Sequence, residues 1–292
     1  MQLCQRLAGA FVFVFWMFGV NAAAAQNVET VSLSSGGEIA YVKTGSGEKA
    51  LILIHGYSLS HAIWQRVTPL LADGYTIYAY DLRGFGASDK PDSGYTYAAM
   101  VSDLAGFMDA LQIRSAVLVG HSLGGIFIQD FAAAYPDRVE GLVLANVQAR
   151  DKPPLGMNDN FRKRIDAWGD PDTNRGIFEK VTPVYFKKGT LTDSDLEALV
   201  AMNMQSATPA LKQAFEHLLT APALPPEAWA KLTMPVRVIA STHDIVPFTV
   251  SVGLLDSLPK SSLSVMERSG HTPMWERPEA FASAVNDFLA GL

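Results

Sequence analysis

The chain has 292 residues, a net charge of −6, 49% hydrophobic and 18% charged residues, which is enough apolar material for one large α/β core and excludes a disordered chain. No Lys/Arg run breaks the negative balance, so there is no electrostatic footprint for nucleic acid or an anionic membrane surface, and a small molecule is the expected partner. The single cysteine, Cys4, excludes a disulfide framework and a cysteine metal site.

The first residues set Arg6 before the uncharged run AGAFVFVFWMFGV at 8–20, followed by NAAAAQ. These are the n-region, h-region and small-residue cleavage site of a secretory signal. Cleavage is expected after Ala25, with residues 1–25 as signal peptide, a periplasmic or secreted product and no stable membrane insertion afterwards. An uncleaved anchor is the alternative, because the apolar segment is near the lower limit of about 17 residues for a spanning helix. The alanine-rich end favours cleavage.

Next come short β-type runs alternating with helical patterns. EIAYVKTG at 38–45 predicts an early, antiparallel strand. Strands are then expected over 50–56, 75–82, 115–120, 141–147, 235–242 and 261–270. Several are continuous Val/Ile/Leu/Ala runs, as in parallel strands covered on both faces, so a mostly parallel sheet with crossover helices is predicted. Helices are expected over 60–74 from a Ser60 N-cap, over 96–113, and over 124–136 to Pro136. The rhythm breaks over 148–232, where NFRKRIDAW, NRGIFEKVTPVYF, DSDLEALVAMNM and PALKQAFEHLL predict four helices and no strand. The domain reading is therefore an α/β core of 26–147 and 233–292 with a helical cap of 148–232 over one sheet edge.

The stretch VLVGHSLGG places Ser122 between glycines, after a strand and before a helix. In that context G-x-S-x-G predicts a nucleophile elbow, where side-chain-free neighbours permit a sharp, strained turn. A serine hydroxyl needs a base and an acid that orients the base. Of the six histidines, His55 is expected to shape a turn, His61 to begin a helix, His121 to point away from the elbow and His217 to be solvated on a cap helix. His271, in SGHTP after the last strand, is the expected base. Asp244, in STHDIVP after the strand at 235–242, is the expected acid, and His243 shares its loop. Asn146 occupies another possible acid position but cannot balance an imidazolium. Asp81 also ends a strand, with Arg83 as its expected ion-pair partner. The backbone N–H groups of Leu123 and Tyr57 are the expected oxyanion donors.

These segments, HGYSLSHAIWQRVTPLLADGYTIYAYDLRGFGASDKP, GHSLGG, STHDIVP and SGHTPMWERPEAFASAVNDFLAGL, resemble the α/β-hydrolase superfamily, most closely its carboxylesterase, cofactor-free haloperoxidase and lactonase branch. The resemblance implies an α/β-hydrolase fold with an eight-stranded, mostly parallel sheet, a helical cap between strands six and seven, and a Ser122–Asp244–His271 triad. Dehalogenases and epoxide hydrolases of the superfamily carry an aspartate at the nucleophile position, which Ser122 speaks against. Carbon–carbon bond hydrolases typically have tryptophan after the catalytic histidine, whereas Thr272 stands here.

Cleavage of a carboxylic ester or lactone is the expected activity. Perhydrolysis, carbon–carbon bond hydrolysis or a lyase reaction by the same triad, and a receptor with little turnover, are the alternatives. Tyr57, Trp168, Phe178, Phe186 and Val246 are candidates for the pocket wall; Phe161, Tyr185 and Phe215 are further cap aromatics. The sequence has no metal-ligand spacing, phosphate-binding glycine loop or nucleotide fingerprint, so no cofactor is expected.

Overall fold

In the computed structural model, which describes residues 27–154 and 156–292, alternate residues of the central strands enter two different cores. Ile52, Ile54, Leu118, Leu142 and Leu144 pack on one face of the sheet with Phe107, Phe127 and Phe131. Leu51, Leu53, Val117, Val119 and Val143 pack on the other with Trp64, Phe281 and Val285. Burial on both faces is why these strands read as unbroken apolar runs.

The strands are β1 (Val28–Ser32), β2 (Glu38–Thr44), β3 (Lys49–Ile54), β4 (Tyr75–Tyr80), β5 (Ala116–His121), β6 (Val139–Ala145), β7 (Val236–Ser241) and β8 (Ser261–Met266). They form one eight-stranded sheet in the order β1-β2-β4-β3-β5-β6-β7-β8. β2 is antiparallel to both neighbours, and the remaining pairs are parallel. From β3 the chain steps one way to β4 and then back across to β5. This reversal leaves a crevice beyond the carboxyl ends of β3 and β5, where ligands bind in open α/β sheets.

Helices α1 (Tyr97–Ala110) and α2 (Leu123–Ala134) follow β4 and β5. Between β6 and β7 come α3 (Asp159–Ala167), α4 (Pro171–Val181), α5 (Asp193–Asn203), α6 (Thr208–Thr220) and the short α7 (Pro226–Trp229). Their starts follow local chemistry: Asn158 caps α3, Asp170 precedes Pro171 at α4, and Thr192 forms a capping box with Asp195 at α5. After β7 lie α8 (Phe248–Val252) and α9 (Leu254–Ser257); after β8 lie α10 (Pro273–Glu276) and α11 (Pro278–Leu289).

Two local expectations change. Ser60 does cap a helical start, but 60–74 is not one α-helix: it forms 3-10 turns at His61–Trp64 and Thr68–Leu70. Pro69 lacks an N–H and disfavours α geometry at Thr68, so an α-helix cannot run through this segment. The edge strand β1 was not anticipated; its residues alternate between exposed and half-buried and lack the apolar run of the central strands. The expected signal peptide, its cleavage after Ala25 and Cys4 lie outside the described residues. Among the described residues, no helix is long and apolar enough to cross a membrane.

Candidate active site

Ser122 is the hinge between β5 and α2, with φ 49° and ψ −120°. Such a backbone costs a non-glycine residue on the order of 1–3 kcal/mol and persists only where the surroundings hold it. The Ser122 N–H donates to Ala145 O at 3.0 Å, and Ile126 N–H donates to Ser122 O at 2.9 Å. Neighbouring glycines permit the approach: a Cβ on Gly120 would lie 2.6 Å from Gly125 Cα, and one on Gly124 would lie 2.5 Å from His55 O.

The turns after β7 and β8 bring two further side chains to this hinge. Ser122 Oγ lies 3.0 Å from His271 Nε2, and His271 Nδ1 lies 2.6 Å from Asp244 Oδ1. The neutral imidazole that fits accepts the Ser122 hydroxyl proton at Nε2 and donates Nδ1–H to the carboxylate. Val246 N–H also donates to Asp244 Oδ1, at 3.1 Å. The carboxylate and the imidazole are both nearly buried, which strengthens their attraction.

A layer beneath fixes the histidine. His121 Nε2–H donates to His271 O at 2.7 Å, and the Asn146 amide donates to the same oxygen at 3.1 Å and to Gly270 O at 3.1 Å. Asn146 also accepts from Ser241 N–H at 3.1 Å. The asparagine set aside as an acid thus staples the β8 loop to β7. Burial, followed by the neighbouring His271, holds His121 well below the usual histidine range, so it donates as a neutral ring.

His55 is neutral for a similar reason. It donates Nδ1–H to Gly56 O at 2.7 Å and accepts Leu82 N–H at Nε2 at 3.0 Å, and burial pulls its pKa down to about 4. Asp81 departs from expectation. Its buried carboxylate accepts the backbone N–H and Nδ1–H of His61 at 2.5 and 2.8 Å and the Ala87 N–H at 2.8 Å. Arg83 instead closes on Asp103 of α1 with both edges of its guanidinium, a planar fork matched to a carboxylate. Burial works against ionised Asp81, yet His61 and Ala87 hold its pKa below the usual range. His217 is not free in solvent: it is half-buried, with its ring centroid 4.5 Å from that of Tyr97. His243 is exposed and bonded to Thr242.

Tyr57 follows β3 and Leu123 opens α2, so both backbone amides lie at the carboxyl edge beside Ser122. Neither N–H donates to another backbone group or side chain among the described residues. The Tyr57 hydroxyl donates to Leu211 O at 2.6 Å, tying this loop to α6.

A cavity of about 340 Å³ opens above Ser122 and His271. Tyr57, Phe186 and Val246 line it, as do Phe161, Tyr185 and Phe215. Trp168 and Phe178 do not. Their rings pack together at 4.9 Å and are buried in the core cluster beneath the cap helices. The cavity also receives Arg164 and Asn203 from α3 and α5, which the sequence reading did not single out. Among the described residues, no group of three or more His, Cys, Asp or Glu could hold a metal ion.

A family model described as the alpha/beta hydrolase family matches residues 51–284. The chain is 29% identical over 253 residues to 2-hydroxymuconate semialdehyde hydrolase of Pseudomonas sp. (strain CF600), covering 82% of this chain and 86% of that protein. Among solved structures, a thermophilic esterase from Thermogutta terrifontis superposes with a TM-score of 0.79 at 25% identity, covering 91% of this chain and 98% of that one. The enol-lactonase from Burkholderia xenovorans LB400 superposes with a TM-score of 0.81 at 23% identity, covering 90% and 100%; that likeness is one of fold.

Proposed function

The chain belongs to the alpha/beta hydrolase family, and from that premise we propose that it is a serine hydrolase cleaving a carboxylic ester or lactone of a small, largely apolar substrate. The observation that carries this reading is the unbroken series Asp244 Oδ1, His271 Nδ1 and Nε2, Ser122 Oγ at 2.6 and 3.0 Å on the floor of the cavity.

In the proposed cycle His271 Nε2 takes the proton from Ser122 Oγ as that oxygen attacks the carbonyl carbon. Asp244 holds the imidazole in its reactive tautomer and balances the imidazolium. The developing oxyanion is met by the N–H groups of Tyr57 and Leu123, each worth roughly 2.7–4 kcal/mol if it acts like other oxyanion donors. His271 returns the proton to the departing alkoxide, leaving an acyl group on Ser122. It then deprotonates a water that attacks the acyl carbon, releasing the acid and restoring the serine hydroxyl. In a lactone the leaving alkoxide stays joined to the acyl chain, so one product carries both groups. The cap helices α3–α6 serve as the ceiling that excludes bulk water.

Support comes from the likeness to the Thermogutta esterase. The relative named as a semialdehyde hydrolase favours a second reading, in which the same three side chains cleave a carbon–carbon bond of a ring-cleavage product. Thr272 where such enzymes typically carry tryptophan weighs for the ester. The deciding experiment follows 4-nitrophenyl butyrate with the purified protein beside Ser122→Ala, resolving any burst from steady state. Sustained turnover that falls by about 10⁶-fold in Ser122→Ala is expected. A burst without turnover, or turnover indifferent to the substitution, overturns the ester reading.

A further inference from the structure

The cavity that receives the reacting bond is mostly apolar and carries one permanent charge. Among the described residues that line it, Arg164 alone is ionised at every accessible pH, and no aspartate or glutamate faces it across the cavity. Its guanidinium has two partners. Nη2 donates to the Tyr185 hydroxyl at 2.7 Å, and the group lies 4.7 Å from the centre of the Phe215 ring. The buried Nε–H has no acceptor among the described residues.

Other arginines of this chain are handled differently. Arg66 closes on Asp195, Arg83 on Asp103 and Arg150 on Asp130. Two residues before Arg164 on the same helix, Arg162 reaches Glu216 of α6 at 3.1 Å on the outer surface. Arg237 also lacks a carboxylate partner among the described residues, but it bonds Ser264 and lies 5.9 Å from the centre of the Phe288 ring, away from the cavity. Placing a guanidinium against an aromatic wall without a counter-ion is unfavourable unless something else supplies the negative charge. The Phe215 ring face and a neutral phenol recover part of that loss.

Resting on the hydrolase reading above, we propose that the substrate carries a carboxylate besides its ester or lactone, and that Arg164 is the residue that recognises it. The acyl carbon sits at Ser122 and the apolar chain crosses the cavity between Phe161, Phe186 and Val246. The distal carboxylate meets the guanidinium, which offers parallel N–H donors to its two oxygens. Tyr185 ties this cation to the reacting end. Its hydroxyl accepts from Arg164, its backbone oxygen accepts His271 N–H at 2.6 Å, and its ring lies 5.7 Å from that of His271. Correct seating of a carboxylate at Arg164 therefore bears on the wall that positions the base. Half-esters of dicarboxylic acids, and lactones bearing a carboxylate, are the substrate class this arrangement selects.

The test compares 4-nitrophenyl hydrogen glutarate with 4-nitrophenyl pentanoate, which share leaving group and acyl length and differ in a terminal carboxylate against a methyl. Ser122→Ala supplies the blank. Wild type should prefer the glutarate in kcat/KM by about 10- to 100-fold, and Arg164→Met should remove that ratio, mainly by raising KM for the glutarate. Arg164→Lys should keep a part of it, a point charge replacing a fork. Circular dichroism of both variants establishes that they fold.

A wild-type ratio at or below one, or a ratio that Arg164→Met leaves in place, overturns the carboxylate proposal while Ser122-dependent pentanoate turnover leaves the ester reading standing. If neither ester is turned over, the ester reading falls, and calorimetric titration with glutarate decides the rest. Binding by wild type that is lost in Arg164→Met retains the anion site, and no binding overturns it.

Discussion

At the carboxyl edge of the sheet, His55 and His121 spend their side-chain hydrogen bonds on backbone groups, and Asn146 divides its own between backbone groups and the Ser241 hydroxyl. The helical ceiling opposite presents aromatic side chains to the cavity and an arginine that, among the described residues, has no carboxylate partner. The floor is over-determined: Ser122 keeps a strained backbone because β3, β5 and α2 all close on it through glycine contacts. The ceiling is held by packing, by helix caps and by ties such as Asn203 to Ser58 and Arg66 to Asp195, and on the proposed reading Arg164 is left for a ligand. On the proposed reading, the floor breaks the bond and the ceiling selects the molecule.

That contrast is broken or sharpened first by Asp244→Asn. If the floor carries the chemistry, kcat for an ester substrate falls by about 10⁴-fold through loss of the correct His271 tautomer, with little change in KM. Steady-state kinetics beside the Arg164 variants, which should act on KM, would separate the two regions. An effect of Asp244→Asn confined to KM would erase the distinction.

Acid is the next probe. His55 has a folded pKa of about 4 against an ordinary 6.5, and His121 is shifted in the same direction. Between those values the unfolded chain binds more protons than the folded one, so stability rises with pH through that window. It is complete above about pH 6.5 and lost by about pH 4, and His55 alone accounts for about 3 kcal/mol of the difference. Urea denaturation at pH 7.5, 5.5 and 4.5 should show this slope, and His55→Gln should flatten it. A slope untouched by both His55→Gln and His121→Gln would place the acid sensitivity outside the floor.

Glycine substitution gives the smallest effects, opposite in sign in the two regions. Gly124→Ala drives a Cβ to 2.5 Å from His55 O and should cost about 1–3 kcal/mol. Gly176, inside α4, has nothing within 4 Å of the same position, so Gly176→Ala should stabilise by about 1 kcal/mol through helix propensity. Thermal unfolding of the pair decides it; equal costs would mean that the ceiling is packed as tightly as the floor.

The two regions also differ in how much of them is legible in the amino-acid order. Ser122 declares itself because strand, glycines and helix are contiguous, and Asp244 and His271 because each directly follows a strand in a parallel sheet. Partnerships across the fold are harder to read. Arg83 lies two residues from Asp81, yet the aspartate goes to His61, because the turn after β3 passes directly over it. Asn146 looks like a failed acid until Gly270 and His271 are brought against it. In the cap, Trp168 at the end of α3 and Phe178 within α4 are both apolar, but sequence pattern does not say whether they face cavity or core. Arg164 reads as a solvent-facing charge until α6 and Tyr185 enclose it. The edge strand β1 and the 3-10 turns over His61–Leu70 are set by pairing and by Pro69, not by periodicity.

The helical excursion leaves from β6 and returns to β7, and those strands are hydrogen-bonded neighbours, with Leu142 beside Val236. It is thus a crossover between parallel neighbours grown long, with about 90 residues between Ala145 and Val236. Closing a loop becomes harder only with the logarithm of its length, so stretching a crossover of some 15 residues to this size adds roughly 1.6 kcal/mol of closure entropy. On closure entropy alone, the segment can change in length while β6 and β7 keep their register.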